Sequence, residues 1–116
     1  MKLIYLAMPY SHPDSLVVDQ RLRAVATFIA AHVYFNEGYV LFCSPLHRHS
    51  VAMVGGLCTD SETWWDINKE YINRCDELWV LCLAGWDLSK GVRDEIDYAE
   101  LIGKPIKLKA PSELPS

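Results

Sequence analysis

Apolar residues along the chain gather in four short runs, separated by three longer stretches in which they recur at helical spacing. Lys2-Leu3-Ile4-Tyr5-Leu6-Ala7 reads as a first strand, ended by Pro9 and the turn-forming Ser11-His12-Pro13-Asp14. Asp14 or Ser15 then caps a long helix in which Val18, Leu22, Val25, Ala26, Ile29 and Val33 share a face, and Gly38 stops it near Asn36-Glu37. Residues 39 to 43 give a second short strand. Strand, long helix and strand form a βαβ unit, whose handedness rule makes the strands parallel.

Residues 44 to 60 carry the least regular pattern, and a loop of that length in a small domain points to a functional segment. Asp60 or Ser61 caps the next helix, with Trp64, Ile67, Tyr71, Ile72 and Cys75 on one face. Asn68 falls in that face and Asp66 opposite it. The pair Trp64-Trp65 reads as core plus pocket rim rather than a stacking platform for nucleic acid. The unbroken apolar run from Leu78 to Leu83 is a buried strand that breaks at Gly85; helical spacing resumes after Ser89 and ends at Gly103. Pro105 to Leu108 supplies a fourth strand, and a tail begins at about residue 110. The fold class is therefore α/β, one domain spanning 1–116.

Strand, loop and helix start between Leu78 and Ala99 make the most informative stretch. In an open α/β sheet ligands bind beyond the carboxyl ends of strands, and a helix beginning there offers unpaired backbone N–H groups to an anion. Ser89 and Gly91 suit such a place. On the helical wheel Val92, Ile96, Ala99 and Ile102 share one face, and Glu95 lies within it, whereas Asp94, Asp97 and Glu100 do not. A carboxylate on the inward face is costly unless it is partnered, so Glu95 is either a structural cap for the loop backbone or a working group.

The totals narrow the class. With 116 residues, 51% hydrophobic and 22% charged, the chain suits one soluble globular domain. A net charge of −4 argues against a protein whose task is gripping a nucleic-acid backbone, while leaving small anionic ligands open. Cys43, Cys58, Cys75 and Cys82 form no CxxC pair and read as reduced thiols. No segment has the form of a signal peptide or a membrane span, so the expected compartment is the cytoplasm. His47 and His49 with Cys43 and Cys58 match no common zinc spacing, so no metal is expected. Arg48 is the better guide if the ligand carries phosphate.

Three segments carry a family resemblance: Ile4-Tyr5-Leu6-Ala7-Met8-Pro9-Tyr10; Cys75-Asp76-Glu77-Leu78-Trp79-Val80; and Ser89-x-Gly91-Val92-x-x-Glu95 followed by Tyr98-Ala99 and Gly103-Lys104-Pro105. In this order, from residue 3 to about 108, they resemble the nucleoside 2-deoxyribosyltransferase superfamily. The Ser-x-Gly-Val-x-x-Glu spacing is most similar to the deoxynucleoside 5'-monophosphate N-hydrolases. The Pro-Tyr-Ser-His turn and the Gly-Trp-x-x-Ser loop resemble small bacterial and phage relatives.

The resemblance implies a flavodoxin-like or Rossmann-like three-layer sandwich with a four-stranded, mainly parallel sheet. It implies a cleft at the strand ends near Tyr5, Ala7, Ser11, Ser44, His47, Arg48, Trp86 and Ser89. Glu95 matches the glutamate that attacks the anomeric carbon, Tyr5 the tyrosine that orients it, and Ser89 with the Gly91 amide the phosphate-contacting positions. Two departures stand out. Asn68 occupies the place of an aspartate that handles the proton of the departing base, so that role is vacant or has moved to Asp66 or Asp87. Ser11 stands where the family has an arginine, with His12 or Arg48 as substitutes. The implied function is cleavage or transfer at the N-glycosidic bond of a (deoxy)nucleoside or its 5'-monophosphate, without cofactor, in a homo-oligomer. A ribonucleotide phosphoribohydrolase, a non-catalytic nucleotide-binding or sensing module, and a purely structural protein are the alternatives.

Overall fold

A computed structural model describes residues 1–35, 38–57 and 61–113. Its elements run β1 (Lys2–Ala7), α1 (Ser15–Phe35), β2 (Tyr39–Phe42), α2 (Ser44–Gly55), α3 (Ser61–Arg74), β3 (Glu77–Leu81), a single 3-10 turn (Trp86–Leu88), α4 (Lys90–Leu101) and β4 (Ile106–Lys109). The sheet order is β2-β1-β3-β4 and every pairing is parallel. The α/β sandwich expected from the sequence is therefore present. After β2 the chain returns past β1 to build β3 on its other side, so the order reverses between β1 and β3. In such sheets a crevice opens at that point beyond the strand ends.

Strand alternation divides the core in two. Ile4, Leu6 and Met8 face α1 together with Trp79 and Leu81, while Tyr5 and Ala7 face the other way with Leu78 and Val80, against Ile72, Val92 and Ala99. All five residues of β3 are buried, as its position between two strands requires.

Helix α1 begins as read, with the Asp14 carboxylate accepting from the Leu16 amide at 2.9 Å. Its inward face is rotated from the expected one. Leu22, Val25, Phe28 and His32 are buried, whereas Val33 is 65% exposed and Ala26 faces solvent. The rotation follows from His32, a polar side chain that the apolar pattern passes over. Its Nδ1 meets the Tyr39 hydroxyl, its Nε2 lies 3.3 Å from the Glu113 carbonyl oxygen, and its ring packs on Phe28 at 4.1 Å between centroids. A polar group so satisfied can be buried.

The larger correction concerns the segment read as a long irregular loop, most of which is helix α2. Pro45 sits in its first turn, where a missing N–H costs nothing. Gly56, at φ 71°, closes it, with its amide on Ala52 O and that of Leu57 on Val51 O. Ser44, His47, Arg48, His49 and Ser50 hid the helix by breaking up its apolar pattern. Strand and helix ends otherwise shift by one or two residues. The proposed end of α1 at Asn36-Glu37, the Asp60 cap and Cys58 lie outside the described residues. Cys43, Cys75 and Cys82 are free thiols, and burial pushes Cys43 up to about 12 and Cys75 to about 11. The tail is docked as far as Glu113, whose carboxylate meets Lys109 at 3.0 Å. Among the described residues no helix is long and apolar enough to cross a membrane.

At the amino ends of the strands Glu77 is buried yet charged. It accepts from Lys2 at 2.7 Å, from Trp79 Nε1 at 3.0 Å and from Lys107 at 3.1 Å, which together hold its carboxyl down to about 2. Its folded value lies below the unfolded 4.5, so its contribution is complete above pH 4.5 and is lost as pH falls toward 2. Both lysines are largely exposed, which screens the pairs. Glu77→Gln is expected to remove about 1–2 kcal/mol of stability at pH 6 and almost none at pH 2. Denaturant unfolding at the two pH values checks this.

Candidate functional site

Ser89 starts α4. Its backbone is extended (φ −77°, ψ 120°) and its hydroxyl oxygen accepts from the Val92 amide at 3.3 Å. With the helix phase set there, Val92, Glu95 and Ala99 fall on the buried face. Glu95 thus enters the core beside β1, where the hydroxyl of fully buried Tyr5 donates to its Oε2. Burial pushes Glu95 up to about 7, with the Tyr5 hydrogen bond pulling down, the Asp94 charge pushing up and Arg48 pulling down. Tyr5 is held well above its ordinary value, first by burial and then by the adjacent Glu95.

A second pair extends this contact. Ser44, buried at the start of α2, donates to Asn68 Oδ1 of α3 and lies beside the Tyr5 hydroxyl, whose ionised form it favours. Asn68, Ser44, Tyr5 and Glu95 therefore form one chain of contacts linking α3, α2, β1 and α4.

Above this chain lies an open cleft of about 1060 Å³ at the carboxyl ends of β1 and β3. Ser11, Ser44, Arg48, Asn68, Ser89, Gly91 and Glu95, all singled out in the sequence, line it, with Tyr5 directly behind Glu95. The structure does not bring five other candidates to the lining. Ala7 is sealed inside the sheet at 0% exposure, because it shares Tyr5's face without Tyr5's reach. Trp86 packs on the second core cluster. Asp87 lies in the 3-10 turn, exposed and outside the lining. His47 is turned away on α2, edge-on to Trp64. Asp66 is 82% exposed, 3.5 Å from Lys69.

Arg21 also lines the cleft and carried no sequence signal. Arg21, in the second turn of α1, donates to the carbonyls of Ser11 at 3.1 Å and Ala84 at 3.2 Å, tying the loop after β1 to the loop after β3. Arg48 stacks over Tyr10 at 5.3 Å, and the Tyr10 hydroxyl meets His49 Nδ1 at 2.9 Å. Trp65 and Tyr98 meet edge to face at 5.9 Å on the opposite wall. Trp64 is buried, so the tryptophan pair divides into core and rim as read. Among the described residues no group of three or more His, Cys, Asp and Glu is placed to hold a metal.

A carboxyl that titrates near neutrality at the floor of a cleft, with a hydroxyl to orient it, can act as nucleophile or base. The 2-deoxyribosyltransferase of the psychrotolerant bacterium Bacillus psychrosaccharolyticus shares this fold, with a TM-score of 0.66 at 19% identity, over 98% of this chain and 77% of that one. No curated protein matches the sequence. The family described as a domain of unknown function (DUF1937) matches residues 2–110.

The raised Glu95 carboxyl has a consequence for stability. Between pH 4.5 and about 7 the folded protein keeps a proton that the unfolded chain has released, so stability falls as pH rises through that window and then levels. The change amounts to roughly 3 kcal/mol. Glu95→Gln is expected to abolish this slope and to be the more stable form at pH 8, read from urea unfolding at pH 5 and pH 8.

Proposed function

This chain belongs to the DUF1937 family, and we propose that it breaks or exchanges the N-glycosidic bond of a (deoxy)nucleoside or its 5'-monophosphate, with Glu95 as nucleophile. One observation carries the reading: a buried carboxylate at the floor of a strand-end cleft, bonded to a buried tyrosine and titrating near neutral pH. The deoxyribosyltransferase named by the structural neighbour agrees with it in reaction class.

The ionised Glu95 oxygen attacks the anomeric carbon as the bond to the base nitrogen breaks and its electron pair leaves with the base. Low dielectric around Glu95 strengthens its interaction with the positive charge that develops on the sugar. The Tyr5 hydroxyl fixes which oxygen is presented. Water, or a second base, then attacks the same carbon and frees the carboxylate. Ser89 and the first amides of α4 suit a 5'-phosphate. The partner is a small-molecule nucleoside or nucleotide, without cofactor, handled by a cytoplasmic homo-oligomer. Asn68, an amide that carries no acidic proton, favours a second reading as a nucleotide-sensing module that binds without turnover.

The test is chromatographic release of free base from deoxy- and ribonucleosides and their 5'-monophosphates, with and without an acceptor base. Release is expected to rise with pH through about 7, as Glu95 ionises. Glu95→Gln is expected to lower it on the order of a thousandfold, and Tyr5→Phe by about ten- to a hundredfold, with its pH midpoint moved upward. A wild type that binds nucleotides but releases no base from any of them favours the sensing module.

A further inference from the structure

The hydrogen bonds around Glu95 contain no acid for a departing base. Along the chain Asn68, Ser44, Tyr5 and Glu95, the Tyr5 proton is given to Glu95 and the Ser44 proton to Asn68, and an amide side chain has no acidic proton. A neutral purine or pyrimidine leaving a sugar carries off the bonding pair as an anion unless a proton reaches it. A base that already bears a positive charge leaves as a neutral molecule and needs none.

The far wall of the cleft suits such a base. Trp65 and Tyr98 present electron-rich rings, and Trp65 already accepts one cation, the Lys69 ammonium at 5.6 Å from the ring centroid. Glu62, Asp94 and Asp97 line the same cleft, Asp94 paired there with Lys90 at 2.8 Å. Arg21 and Arg48 are held toward the β1 loop, Arg21 on Ser11 O and Arg48 over Tyr10. The α3–α4 side of the cleft thus carries three carboxylates and two aromatic rings against one lining lysine, Lys90, and the loop side carries Arg21 and Arg48.

Resting on the Glu95 reading, we infer that the preferred substrates are N-glycosides whose base carries a fixed positive charge, the pyridinium nucleosides and N7-alkylated purine nucleosides. In the first step a Glu95 oxygen bonds to the anomeric carbon while the carbon–nitrogen bond breaks. The electron pair stays on the ring nitrogen, cancels its charge and moves no proton. In the second step water bonds to the same carbon, the ester bond to Glu95 breaks and returns its pair to the carboxylate, and the surplus proton of water passes to solvent. Asn68 is the residue that sets this preference, because an acid in its place would serve neutral bases.

The experiment compares kcat/KM for base release from nicotinamide riboside, 7-methylguanosine and their 2'-deoxy forms with that from adenosine, inosine and their 2'-deoxy forms. The cationic set is expected to exceed the neutral set by about a hundredfold or more. Asn68→Asp is expected to raise release from the neutral set about tenfold or more and so to narrow the ratio between the two sets. Trp65→Leu is expected to raise KM for the cationic set about five- to tenfold with kcat little changed. Neutral nucleosides cleaved as fast as cationic ones by the wild type would overturn the inference while leaving the Glu95 chemistry in place. Release from neither set, by wild type or Asn68→Asp, would overturn both. Release from the cationic set that persists in Glu95→Gln would likewise overturn both.

Discussion

The contact between Tyr5 and Glu95 is the constraint from which the rest of the architecture follows. A carboxylate costs several kcal/mol to take out of water, and one hydroxyl compensates only part of that. The two residues stand 90 positions apart in sequence, so the contact exists only when the first strand is inside the sheet and the last helix is packed across it. Ser89 sets the phase of that helix, Val92 and Ala99 anchor it on the core, and strand alternation turns Tyr5 toward it. Ser44 and Asn68 extend the contact to two further helices, which makes the floor of the cleft a property of the whole domain.

The two buried glutamates show how partners decide what a carboxylate becomes. Glu77, at the amino ends of the strands, meets two ammonium groups and an indole N–H and is held strongly ionised. Glu95, at the opposite ends, meets one hydroxyl, and burial dominates. The first is a structural pin, charged at all but strongly acidic pH. The second can gain or lose its charge near neutral pH, which suits chemistry and weakens the fold, as expected where function and stability compete.

Much of this was legible in the pattern of residues. The four strands, the parallel sheet and the inward position of Glu95 follow from periodicities that packing enforces, and Asn68 shared the buried face of its helix as read. Tyr5 was identified as Glu95's partner through resemblance, since no local rule relates positions 90 apart. The rest failed for physical reasons. Helix α2 carries its polar side toward the cleft, so Ser44 and Arg48 erased the apolar stripe that announces a helix. His32 drew α1 onto a different face because its two nitrogens find partners only in the folded chain. Proximity to Ser89 suggests Trp86 and Asp87, but a 3-10 turn lays one against the core and leaves the other in solvent. Arg21 belongs to a helix surface until its reach across two loops is known.

That reach has a further meaning. Gly85 sits at φ 88°, and a Cβ there would stand 3.0 Å from the Arg21 guanidinium. The bare backbone at 85 and the long cation at 21 are therefore two halves of one mechanical joint. A side chain at 85 would press on the guanidinium that bonds the Ala84 carbonyl. The two loops that frame the cleft are thereby held to each other through one side chain, and the shape of the opening between them depends on it.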